Sequence, residues 1–198
     1  MRSHQLPWGI AGLSSRQWKQ VCTGTHLIQF LVELIALAAQ LGLCGFIEHP
    51  QYPVWLMRKK PASIWTLQVI RTLARLECFQ VCSFDHCVYG LNATKPTSLL
   101  LLGLSTFHDI TVSKGRRGRC DHPAGHQPLR GIQCDGSFTS ARAKMYPPGM
   151  NKAIATAVSR FLAERQLETS WSELPKDMQE LICTEYTEES IVQPDFHR

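Results

Sequence analysis

FDHCVYGLNATKPTSLLLLG, Phe84 to Gly103, reads as two strands joined by a basic, glycine-containing turn. A hairpin needs only its turn chemistry and an apolar face. This one also gathers Asp85, His86, Cys87, Tyr89 and Lys95 into the connection and then runs straight into an apolar stretch. So many reactive side chains in one turn mark a site, or the remains of one.

Working outward, CFQVCSF (78–84) alternates like a strand before the turn, and TSLLLLGL (97–104) is the strand after it. Ser14 to Leu41 predicts a helix capped at Ser14-Ser15 and stopped by Gly42. CGFIEHP (44–50) follows as a short buried strand that delivers an acid, Glu48, at its carboxyl end. QYPVWLMRKKPASIW (51–65) is a loop, with Trp55 and Trp65 read as anchors against the core beside Arg58, Lys59 and Lys60. Thr66 to Leu76 predicts a short amphipathic helix with Leu67, Ile70, Leu73 and Ala74 on one face. Gly115 to Gly136 has no apolar periodicity and reads as a loop. Asn151 to Gln166 predicts a helix with Ile154, Ala157, Val158, Phe161 and Leu162 inward, and a last helix, Pro175 to Tyr186, starts at a proline. This order of elements is half of an α/β domain: a parallel sheet whose last two strands form an antiparallel edge.

A chain of 198 residues is long enough for one domain with a core. Its charge is uneven: up to Arg160 there are 18 Lys and Arg against 7 Asp and Glu (+11), and from Phe161 onward 3 against 9 (−6), which together give the overall +5. A basic body suits an anionic partner such as nucleic acid, and equally a solvated surface with an acidic tail. Eight cysteines with no secretory signal point to reduced thiols in the nucleus or cytoplasm. The run Leu27 to Ile47 is about as long as a membrane span, but Gln29, Glu33 and Gln40 make a polar stripe on it. The expectation is therefore a helix buried on most sides of a layered domain, with no membrane partner. The expected organisation is an N-terminal extension (1–13), a domain (14–166) containing a basic Cys/His loop (114–136), and an acidic helical tail (167–198).

A second constellation lies in that loop. Cys120, His122 and His126, spaced Cys-x-His-x3-His, could supply three ligands to zinc, with Cys87 or Cys134 as the fourth. The spacing is not that of a standard finger, and solvated histidines and small buried cysteines would give the same residues. Arg116, Arg117 and Arg119 just upstream are suited to phosphate contacts. On a strand Asp85 and Cys87 would share a face lining a cleft, while His86 would point away and leave Cys87 unactivated.

Three segments, in order, resemble the later motifs of the cytosine-C5 DNA methyltransferase family, in its divergent, mobile-element form. FIEHP stands where the family ends a strand in Glu-Asn-Val or Glu-Asn-Pro. YGLNATKPTSLLLLG resembles the family's edge hairpin, with Lys95 near an arginine position, and AKMYPPGMNKAIATAV resembles its closing Pro-Pro turn and small-residue helix. The resemblance implies the C-terminal half of a Rossmann-like methyltransferase sheet. It makes Glu48 the acid that binds a flipped-out cytosine, Lys95 a positioning cation, and Pro147 and Pro148 neighbours of an S-adenosylmethionine pocket. The family's glycine-rich cofactor loop has no counterpart before Ser14, and no Pro-Cys nucleophile occurs there. The expectation is thus a truncated methyltransferase-like domain, inactive and without cofactor alone, completed by a second chain. The alternative is a small basic nucleic-acid-binding module, stabilised by zinc.

Overall fold

The computed structural model describes residues 1–3, 5–53, 61–123, 125–127, 129, 131 and 139–165. Trp55, Arg58, Lys59, Lys60, Cys134 and the tail 167–198, with its predicted Pro175 to Tyr186 helix, lie outside the described residues. The described residues divide between two compact units, one within 1–43 and 52–77 and the other within 44–51 and 78–165.

The first unit is helical. Helix α1 spans Ser15–Gln40. It starts where the sequence places it: the Ser14 hydroxyl accepts from the Gln17 amide at 3.4 Å while the Gln17 side chain accepts from the Ser14 amide at 3.0 Å. This reciprocal pair satisfies two of the orphan donors at a helix start. At the other end Gly42 donates to the Ala39 carbonyl (3.0 Å) and Leu43 to that of Ala38 (2.8 Å), a Schellman closure. The N-terminal stretch packs on this helix, because Arg2 donates to the Val21 carbonyl at 2.6 Å and to the Thr25 hydroxyl at 2.9 Å. Burial on most sides is not what α1 shows. Val21, Thr25, Val32, Ile35, Ala36 and Ala39 are buried, whereas Leu27, Phe30, Leu31, Leu34, Leu37 and Leu41 are exposed. One face has a neighbour; the second layer expected over the other is absent among the described residues. By length and composition alone α1 could cross a membrane. Helix α2, Gln68–Leu73, is shorter than predicted because Leu67 is extended (ψ 137°) and separates it from a 3-10 turn at Ile64–Thr66.

The second unit is mixed α/β, built on a small open sheet of three strands: β1 (Gly45–Pro50), β2 (Phe79–Asp85) and β3 (Pro96–Leu102), in the order β1-β3-β2. Both ladders are antiparallel, with Glu48 opposite Leu99 in one and Cys82 opposite Leu99 in the other. The parallel ladder expected for β1 does not form among the described residues. After its turn β3 comes back between the two others, so β1 and β2 run parallel but never pair. That central place explains why Leu99, Leu100, Leu101 and Leu102 are all buried: a middle strand covered on both faces needs a continuous apolar run. Pro50 pairs with Thr97 at the end of β1, which an edge strand tolerates.

Helix α3 (Ser105–Val112), which the periodicity did not predict, follows β3, and α4 (Pro148–Arg165) closes the unit. The β-branched Ile110, Thr111 and Val112 disguise α3. Phe107 and Thr111, one turn apart, hold it inward: the Phe107 ring lies 5.8 Å from Phe84 and 5.9 Å from Tyr89. Gly103 joins β3 to α3 at φ 65°, and a Cβ there would come within 2.7 Å of the Phe161 ring of α4. In α4, Met150, Ala153, Ala157 and Phe161 are buried, but Leu162, expected inward, is 53% exposed.

Candidate functional site: one hairpin between a polar cluster and a metal-ligand cluster

The connection from β2 to β3 holds the chemistry. Its first four residues, His86–Tyr89, form a 3-10 helix, and the His86 amide donates to the Lys95 carbonyl at 3.3 Å to close the loop. In a 3-10 helix successive side chains diverge by about 120°, so His86 and Cys87 enter different surroundings. A fully buried Phe84 fixes the base of the connection, with Tyr89 packed edge-on at 5.4 Å. Tyr89 in turn hydrogen-bonds the Thr111 hydroxyl of α3.

On the His86 side, three segments far apart in sequence meet. Lys95 donates to one Glu48 carboxylate oxygen at 3.3 Å and to the Ala143 carbonyl at 3.4 Å. The Tyr146 hydroxyl donates to the other Glu48 oxygen at 3.4 Å. Glu48 comes from β1, Lys95 from the residue before β3, and Tyr146 from the turn that leads into α4. The Lys95–Glu48 pair is about a quarter exposed on each side (25% and 24%), so a solvent-facing edge remains to the carboxylate. A carboxylate has about four lone-pair positions, and two donors leave room for a ligand's donors. Burial, reinforced by Glu48, pushes the Tyr146 hydroxyl up to about 12, which keeps it a donor at neutral pH.

His86 stands behind this group, its ring 6.1 Å from that of Tyr146 and stacked on Phe84 at 5.5 Å. It is fully buried, and neither ring nitrogen has a hydrogen-bond partner among the described residues. Burial first, then the Lys95 charge, lowers its pKa to about 4, so it is a neutral imidazole. The sequence marked His86 only as pointing away from Cys87; its burial beside Lys95 and Tyr146 carried no sequence signal.

On the other side, Cys87, Cys120, His122 and His126 come together with their ligand atoms all within 4.8 Å of one another. Cys120 Sγ lies 3.4 Å from His122 Nδ1 and 2.9 Å from His126 Nε2. Such a set could hold a metal ion such as zinc. Asp85 positions the loop: one of its carboxylate oxygens accepts from the Cys120 amide at 2.9 Å, and its own amide donates to the Gly118 carbonyl at 2.9 Å. Asp85 and Cys87 therefore face the Cys120 loop, rather than lining a cleft as expected from the sequence. Burial first, and then Cys120, push the Cys87 thiol up to about 12 in the metal-free chain, the reverse of an activated nucleophile.

The basic residues separate. Arg116 and Arg117 are exposed on a tight turn closed by paired Arg116–Arg119 backbone hydrogen bonds, with Arg117 at φ 54°. Arg119 instead turns inward, donating to Gln51 at 2.6 Å and lying 3.9 Å from Asp85. Pro147 is buried and Pro148 opens α4. Neither proline has an N–H to offer, and the Met150 and Asn151 amides are spent on the Pro147 carbonyl at 2.9 and 3.1 Å. Compared with known protein families, curated proteins and solved structures, the chain has no match.

Proposed function

We propose that this chain is the base-binding half of a cytosine-C5 methyltransferase-like fold, a C-terminal piece of a Rossmann-like sheet that holds an extruded cytosine without carrying out methyl transfer alone. One observation carries the reading: the three segments that resemble the family converge, with Glu48 held by Lys95 at 3.3 Å and by Tyr146 at 3.4 Å. A carboxylate in this position on β1 can accept from the exocyclic amine of cytosine, a donor that thymine lacks. Lys95 and Tyr146 would orient it. The nucleophile, the cofactor loop and S-adenosylmethionine would belong to a second chain, and the exposed leucines of α1 are suited to such a partner.

The test is affinity for a duplex carrying one bulged cytosine against the same duplex with a bulged thymine. A good base-edge contact discriminates by about 1–3 kcal/mol, roughly 5- to 150-fold. Wild type should show that preference and Glu48→Gln should lose it; equal affinities for the two wild-type complexes would overturn the reading.

A second reading, a small basic nucleic-acid-binding module, is favoured by the exposed Arg116–Arg117 turn. It predicts binding that weakens with salt and ignores the bulged base.

A further inference from the structure

We propose that Cys87, Cys120, His122 and His126 form a closed, structural zinc site that fastens the basic loop to the 3-10 helix of the β2–β3 connection. The donor set is two sulfurs and two imidazole nitrogens, the composition that tetrahedral zinc takes in structural sites. With zinc–sulfur bonds of about 2.3 Å and zinc–nitrogen bonds of about 2.0–2.1 Å, neighbouring ligand atoms in a tetrahedron lie about 3.3–3.8 Å apart. The cluster's limit of 4.8 Å lies above that range and its Cys120–His126 separation of 2.9 Å below it, while Cys120–His122 at 3.4 Å falls within it, so small side-chain adjustments bring the four atoms around one ion. The two imidazoles stand edge to face at 83°, with ring centroids 5.1 Å apart, so both can turn a nitrogen to one centre without stacking.

The backbone is arranged to hold the donors. Asp85 accepts the Cys120 amide at 2.9 Å, and the Gln127 amide, next to His126, donates to the Asn92 carbonyl at 3.3 Å. Both arms of the ligand loop are thus tied to the connection that carries Cys87. Four protein ligands leave no open coordination position, which makes the ion structural rather than catalytic. Two soft thiolates argue against magnesium or calcium, and a tetrahedral sulfur–nitrogen set favours zinc. Binding links Cys87 to a loop that begins 33 positions later, so the ion closes a long stretch of chain.

The full chain, purified reduced and loaded with zinc or cobalt(II), gives the test. We expect one zinc per chain and, with cobalt, the strong visible bands and thiolate charge-transfer absorption of a tetrahedral two-thiolate site. Cys87→Ser and Cys120→Ser should abolish the stoichiometric zinc, while Cys22→Ser and Cys134→Ser retain it. His122 is exposed, so His122→Ala tests the site without disturbing a core, and should remove or strongly alter the cobalt spectrum. Asp85→Ala should weaken zinc about 10- to 100-fold as an outer partner of a ligand. A metal-free chain, a Cys87–Cys120 disulfide in the reduced preparation, or full binding by Cys87→Ser with loss in Cys134→Ser would each overturn the proposal.

Discussion

Replacing His86 with leucine should make the protein more resistant to acid. The ring is fully buried, stacked on Phe84 at 5.5 Å, with neither nitrogen partnered among the described residues. Its folded-state pKa of about 4 lies below the ordinary 6.5. The unfolded chain therefore takes up the proton first as pH falls. The stability contribution is whole above the ordinary pKa, is lost as pH falls from there to about 4, and levels off below. At 1.36 kcal/mol per pKa unit, the loss by the folded pKa is about 3 kcal/mol. At neutral pH the leucine variant loses two unpartnered buried nitrogens, worth about 1–3 kcal/mol each, and loses some ring stacking, so it should be at least as stable as wild type. Urea unfolding of both proteins across this range gives the comparison, since carboxylate protonation acts on both alike. The wild-type stability should fall about 3 kcal/mol further than that of His86→Leu. Parallel pH curves for the two would refute the claim of a buried neutral imidazole.

Three further outcomes follow from the packing and the charges. Gly103→Ala should cost about 2–5 kcal/mol, from left-handed strain of about 1–2 and overpacking against Phe161 of about 1–3, whereas Gly90→Ala, at φ 99° with nothing within 4 Å, should cost the strain alone; chemical denaturation separates them. Tyr89→Phe should destabilise by about 1 kcal/mol in the same assay, by leaving the buried Thr111 hydroxyl without the phenol. If the chain binds duplex DNA through its basic turn, the double variant Arg116→Ala, Arg117→Ala should lower the slope of log affinity against log salt by about 1.8, while Arg119→Ala should act mainly through stability because its guanidinium is held by Gln51.

The sequence made some of this legible because local rules were sufficient. The Ser14 cap and the Gly42 stop follow from helix-end chemistry, and the hairpin strands from their apolar pattern, whereas α4 starts at Pro148, three residues before the expected Asn151. The position of β3 was not legible. Alternation says that a segment is a strand, but its neighbours depend on long-range pairing, and β3, expected in an antiparallel edge, lies in the middle of the sheet. Likewise α3 is held by Phe107 against Phe84 and Tyr89, a tertiary contact that overrides its weak helix propensity. Candidate residues were legible as types, and Cys87 was one of two expected partners for the Cys120 loop. Their distribution between two environments was not, because it depends on the 3-10 helix that separates His86 from Cys87. Arg119 shows the same limit: a cation in a basic run reads as a surface contact until Gln51 and Asp85 appear beside it.

The most direct test of the proposed base contact at Glu48 is where an extruded base lands. A duplex with a single bulged 5-iodocytosine, irradiated with the full chain, forms a covalent link to an aromatic side chain against which the base lies, and peptide mass spectrometry locates it. A crosslink at Tyr146, beside Glu48, is expected, and it should disappear in Glu48→Gln while overall DNA binding persists. Crosslinks confined to the 114–126 loop, unchanged by Glu48→Gln, would contradict it and leave a basic module with no pocket for a base.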